Sequence, residues 1–225
     1  NAVFVSSRHQ DWVIAYRHED DAGGKAGSLL FKVGAQGDFA LAGEGARWPY
    51  HQHSPKILPG GNLMLFDNGT TRPGTVDTDL AKLPASRAVE YALDTSGPPG
   101  TWTATQVWEF GSHDVRYVDT STGTPIDVPY YASIIGNAQP TADGTVLVTE
   151  GALTEPATGQ VFETTAKKSA RIFEVTKDAE ARVVFDMRVR DPAATTFYGY
   201  LSYRAIRIPT LYPASAGVTA KVVSR

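Results

Sequence analysis

Two histidines, an asparagine and an arginine lie within one short stretch, Trp48 to Arg72, which reads WPYHQHSPKILPGGNLMLFDNGTTR. His51 and His53 are two residues apart, so an extended backbone turns both to the same side. Lys56-Ile57-Leu58 then runs into Pro59-Gly60-Gly61-Asn62, where glycine supplies the positive φ that hairpin turns need. Leu63-Met64-Leu65-Phe66 is an unbroken apolar run and predicts a buried strand. Asp67-Asn68-Gly69 ends that strand, and Arg72 follows. A hairpin over this stretch brings its outer ends together, with His53 and Arg72 at the open end. An imidazole beside a fixed guanidinium suits a small anionic group: sulfate, phosphate or carboxylate.

Composition narrows the field around that pair. The chain has 225 residues, 42% of them apolar and 20% charged, with a net charge of −3. That is the balance of a globular protein of one or two domains. Mild acidity without a Lys/Arg-rich run gives no reason to expect nucleic acid as a partner. Cysteine is absent, which removes disulfides, thiolate nucleophiles and zinc–thiolate sites. No apolar stretch reaches the 18 residues of a membrane span. The first residues, Asn1-Ala2-Val3-Phe4-Val5, already read as strand, so an upstream portion is expected.

The elements that must position the site read as β throughout. Val, Ile, Thr, Tyr, Phe and Trp cluster in short runs punctuated by Gly, Pro, Asp and Asn. Ala81 to Val89 comes nearest to a helical period, and Pro84 interrupts it. Three strand types recur in one order. The first is Val3–Ser7, Leu63–Asp67 and Val146–Glu150. The second is Trp12–Tyr16, Arg87–Tyr91 and Arg171–Val175. The third is Leu29–Gly34, Gln106–Gly111 and Arg182–Met187. A further strand precedes two of the sets, at His53–Leu58 and Ile134–Pro140. Four antiparallel strands per unit predict an all-β fold of the β-propeller type, with blade-like repeats over roughly 1–47, 48–111 and 130–190. Residues 200–209, through Tyr203-Arg-Ala-Ile-Arg-Ile, are expected to open a fourth. A plain β-sandwich of ten or so strands is the alternative. Three repeats and a strand cannot close a ring of about four to eight blades. The remainder is expected from an upstream portion or from a second copy of the chain.

The runs SSRHQDWVIAY, Q-H-S-P followed by LPGGNLMLFDNG, SRAVEYALD, QVWEFG and YRAIRI resemble the arylsulfotransferase family, the bacterial arylsulfate sulfotransferases that do not use the nucleotide donor PAPS. The resemblance covers nearly the whole chain in order. It implies a six-bladed propeller exported to the periplasm or cell surface, needing no cofactor. The implied reaction moves a sulfuryl group from a phenolic sulfate ester to a phenol acceptor. The family's Gln-His pair falls on Gln52-His53, and its arginine after the FDNG turn falls on Arg72. The family's sulfated histidine belongs in the loop over Glu150 to Gln160, which here contains none.

Sulfuryl transfer asks for a nucleophile, positive groups on the sulfate oxygens and a proton donor for the leaving phenol. On this reading His53 contacts the sulfate or protonates the bridging oxygen, and Arg72 clamps the sulfate. His9, Arg8, Asn68, Tyr203 and Arg204 are expected at the substrate. His113 is the one downstream histidine that could replace the missing nucleophile. His51 reads as a rim residue, and Arg87 and Arg171 as structural. Two other classes use the same residues. His51 and His53 with His9 or His113 could hold zinc or copper, although H-x-H alone is a weak signal. The chain could also be a non-catalytic propeller retained for binding or assembly.

Overall fold

All five residues of the strand Leu63–Asp67 are buried, because both of its faces are covered. Leu63 and Leu65 pack with Val13, Val33, Phe39, Val89 and Tyr91 on one side. Met64 and Phe66 pack with Ala138, Val146, Val148, Phe173 and Val175 on the other. Burying one such side chain contributes about 1.5–3 kcal/mol relative to leaving it exposed. Apolar residues at every position, rather than at alternate ones, are therefore what this strand requires.

The computed structural model describes residues 1–76, 82–111, 113–118, 122–155, 167–191 and 199–208. In chain order the strands are β1 (Ala2–Ser7), β2 (Trp12–Arg17), β3 (Leu29–Val33), β4 (Ala40–Ala42), β5 (His53–Ile57), β6 (Leu63–Asp67) and β7 (Arg87–Asp94). They continue with β8 (Thr103–Phe110), β9 (His113–Val118), β10 (Pro125–Pro129), β11 (Asn137–Pro140), β12 (Thr145–Glu155), β13 (Lys167–Thr176) and β14 (Val183–Val189). No α-helix occurs among the described residues, and a 3-10 turn, Arg8–Gln10, joins β1 to β2. The fold is all-β.

Three sheets stack through the two clusters. The first has the order β1-β2-β3, the second β4-β8-β7-β6-β5 and the third β11-β12-β13-β14. Every pairing is antiparallel except β4 with β8. The nine strands of the three recurring types are all present and in the expected order. The turn from β5 to β6 closes through the Gly61 N–H on the Leu58 carbonyl at 2.8 Å, with Gly61 at φ 88°.

Three features depart from the sequence reading. β4 extends the second sheet as a fifth strand, and β9, which begins at His113, forms a separate hairpin with β10. Residues 203–208 form no strand. Their alternating pattern fits one, but a strand needs a partner edge, and this segment lies across β12 instead. There the Ser202 N–H reaches the Gly151 carbonyl at 3.1 Å and the Ala205 N–H reaches Thr149 Oγ1 at 3.0 Å. Apolar side chains stay exposed on both outer faces of the stack, Val3 and Val5 on β1 and Val184, Phe185 and Met187 on β14.

Candidate anion site at one end of the sheets

The end of β6, the start of β5, the 3-10 turn after β1 and the segment before β11 meet at one end of the stack. Their backbones are unusual. Asp11, His51, Ser54, Thr71 and Ile135 all have φ between 49° and 63°, a region that residues other than glycine rarely enter. Such conformations persist where surrounding contacts over-determine them, and they cluster at functional sites.

His53 pairs with Phe66 across the β5–β6 ladder, which sets its ring beside Asn68. Nδ1 of His53 lies 2.7 Å from Oδ1 of Asn68. The Asn68 amide nitrogen donates to the carbonyls of Ala132 at 2.7 Å and Ile135 at 2.9 Å. Both donors are thereby used, so Oδ1 is fixed as an acceptor and His53 Nδ1 must carry the proton. When the ring is neutral, Nε2 holds the lone pair, and the His51 backbone is the ring's other polar neighbour. Burial first, and then the nearby Arg8 charge, hold the imidazole below the usual histidine range against the opposing Asn68 bond. The phenol ring of Tyr203 stands edge-on to His53 with centroids 6.3 Å apart.

Arg8 supplies the cation. One terminal nitrogen donates to the Ser133 carbonyl at 3.1 Å, and its Nε is buried without a partner. No carboxylate lies within ion-pair distance of it among the described residues. Its charge bears on both His51 and His53. Arg72 is placed differently. It donates to Asp67 Oδ2 at 2.5 Å, and Arg87 Nε donates to the same oxygen at 2.8 Å. Asp67 and Asn68 follow one another, so their side chains leave the chain on opposite faces. Arg72 therefore goes with Tyr50 and Asp67, and His53 with Asn68. The hairpin brings the two residues to one end of the sheet but gives them no common partner. Arg87, as expected, is structural: it is buried and also reaches Glu109 and the Arg47 carbonyl.

His51 and His53 are not placed by simple alternation, and each ring has its own hydrogen-bond partners. The left-handed backbone at His51 and Ser54 breaks the alternation. His51 turns to Asp11 and Thr71, and its ring meets that of exposed His9 edge-on at 5.4 Å. Gln52 is fully buried and ties the first sheet to the second, donating to the Trp12 carbonyl at 2.9 Å. Asn68 is also fully buried and orients His53 rather than offering a free group. Arg204 is exposed and stands near Lys56. Lys56 was missed by the sequence reading. Burial, then the Arg204 charge, push its amine down to about 8, and it donates to the Asn137 side chain and, at 2.9 Å, to the Ala138 carbonyl. Its place two residues past the β5 bulge was the only signal. The side chain of His113 lies outside the described residues, and of the loop expected over 150–160, residues 150–155 belong to β12 while 156–160 lie outside the described residues. No group of three His, Asp or Glu side chains arranged to hold a metal occurs among the described residues.

The sequence model of one family, Arylsulfotransferase (ASST), matches residues 1–200. The chain belongs to the arylsulfotransferase family. The match runs through all three sheets and the candidate site residues from Arg8 to Arg72, with Tyr203 and Arg204 beyond it, so sulfotransferase-type chemistry on small-molecule substrates is the family-level assignment for this arrangement. No curated protein matches the chain. No helix among the described residues is long and apolar enough to cross a membrane.

Proposed function

We propose that this chain carries the sulfuryl-transfer site of a PAPS-independent arylsulfotransferase, with His53 as nucleophile and Arg8 as the sulfate clamp. The observation that carries the reading is the Asn68-fixed tautomer: a neutral imidazole keeps its lone pair on Nε2 within reach of the charge of Arg8, a guanidinium that no carboxylate neutralises among the described residues. In the first half of the reaction the lone pair of Nε2 attacks sulfur, the S–O bond to the aryl group breaks, and a phenolate leaves. Phenolates leave readily, so little acid help is needed. The equatorial oxygens lie against Arg8, whose planar fork stays charged throughout. Transfer to an acceptor phenol then regenerates His53. Tyr203 offers an aromatic wall for an aryl ring, and Arg204 a second cation at the rim. Arg72 serves by fixing Asp67 and the turn that carries Asn68. His53 thus takes the role for which the loop over 150–160 provides no histidine.

The same reading takes the three stacked sheets as consecutive blades of a propeller, with work outside the cytoplasm. Two things support the ring. Strand types repeat in order, and apolar faces remain exposed at both ends of the stack, where flanking blades would sit. The decisive experiment incubates the chain with 4-nitrophenyl sulfate and phenol. Release of 4-nitrophenol that is lost in His53→Gln, and that needs no added metal, is the expected result. Release that survives His53→Gln would remove the assignment, and release only with metal would favour a hydrolytic metal centre.

A further inference from the structure

A second imidazole is built into the same end of the sheets, and the His53 reading does not use it. His51 is buried and is held from two segments. Asp11, at the end of the 3-10 turn, accepts the His51 backbone N–H at 2.6 Å, and the same oxygen lies 3.3 Å from Nδ1. Thr71 Oγ1 lies 3.1 Å from Nδ1, and its own hydroxyl hydrogen is committed to the Thr70 carbonyl at 2.6 Å. Both of these neighbours of Nδ1 are acceptors, and the Thr70 backbone is a further polar neighbour of the ring, so the neutral ring carries its proton on Nδ1 and its lone pair on Nε2. Asp11, His51 and Thr71 each take a left-handed backbone, φ 57°, 54° and 63°, to make these contacts. Three rare conformations converging on one ring are more than packing needs. The charged and titratable groups around it are Arg8, His9 and Asp11, with Arg8 shared with His53.

We propose that His51, aligned by Asp11 and Thr71, is the base that takes the proton from the acceptor phenol. The proposal rests on the assignment of His53 and Arg8 and supplies its second half. As the acceptor oxygen attacks sulfur held on His53 Nε2, its O–H proton passes to His51 Nε2. The N–S bond breaks, and its electron pair returns to His53. The proton on His51 then leaves through solvent and balances the phenolate released in the first half. Arg8, standing by both rings, holds the sulfuryl oxygens during both displacements. An orienting carboxylate on the far nitrogen of a catalytic imidazole is the arrangement such proton transfers need.

Two measurements test this. The first needs no turnover: histidine 15N spectra of the whole chain, with phenol added stepwise. Near neutral pH His51 is expected to carry its proton on Nδ1, with Nε2 bare and moving as phenol binds, and Asp11→Asn is expected to redistribute the tautomers. A protonated Nε2, or a ring unmoved by phenol, overturns the proposal. The second compares His51→Gln with the parent chain over acceptors of rising acidity. Loss of about 10²-fold or more with phenol, shrinking towards pentafluorophenol, which is already ionised, is expected. An equal loss across the series means a structural role and also overturns it. Failure of the underlying assignment looks different, because it shows as 4-nitrophenol release that survives His53→Gln.

Discussion

The second and third sheets are built on one plan, and only the second carries the residues proposed for chemistry. In the second, Asp67 at the end of β6 pairs with Arg87 at the start of β7. In the third, Glu150 on β12 pairs with Arg171 on β13 at the equivalent place. Both arginines are buried and hold those carboxylates, so this pairing is scaffold. One step along, the sheets part. His53 faces Phe66, whereas its counterpart Asn137 faces Thr149. Asn68 corresponds to Gly151, where a Cβ would stand 2.1 Å from the Ser202 carbonyl oxygen. What recurs holds the sheets, and what occurs once is what the proposal assigns to the site. By that rule Arg72, bound into the Asp67–Arg87 network, falls on the scaffold side, and His53 with Asn68 on the other.

The comparison can be broken most severely at His53. His53→Gln is expected to lower steady-state transfer on the order of 10⁴-fold or more, as loss of a nucleophile does. Its thermal unfolding midpoint should stay close to that of the parent, because the ring is only half buried. A large fall in stability without a matching fall in rate would put His53 with the scaffold. Next come the paired arginines. Arg87→Met strands the fully buried Asp67 with Arg72 alone and is expected to cost about 3–5 kcal/mol in denaturant unfolding. Arg171→Met should cost less, because its second partner, Asp186, is 42% exposed. Equal costs would mean that the two networks are not graded by burial.

A smaller effect is expected at Asn68. Asn68→Leu keeps the volume but releases the ring of His53, and a loss of about 10²-fold in kcat/KM is expected with little change in the fold. Smallest is the pH response. Transfer needs neutral His53, whose imidazole is held below the ordinary histidine value of about 6.5. The rate should therefore rise with pH to a midpoint below that value and be flat at neutrality. A midpoint above it would mean that burial and Arg8 do not govern the ring.

Much of the fold could be read from residue patterns alone. The four-residue apolar run of β6 predicted a strand covered on both faces, and the recurring strand types marked the sheets. β4 escaped notice because Ala40-Leu41-Ala42 has no pattern of its own; its parallel pairing with β8 comes from tertiary packing. The failure at 203–208 has the same origin, since an alternating pattern cannot supply a partner edge. At the site, His53 and Asn68 were legible as types at a spacing, but the pairing of Arg72 was not. Which of two adjacent carboxylate and amide residues an arginine meets depends on the side of the strand it returns to. The part played by His51 and Asp11 was hidden for a related reason: left-handed backbone at ordinary residues leaves no periodic trace.

The central claim is that sulfur passes through Nε2 of His53, and trapping it there tests that most directly. The chain is mixed with 4-nitrophenyl sulfate alone, quenched in base and digested, and the peptides are read by mass spectrometry. The account predicts a sulfuryl group on the peptide that contains His53, absent after His53→Gln and discharged by added phenol. A sulfuryl group on the peptide of His113 or any other residue, or 4-nitrophenol released with no residue labelled, would contradict it.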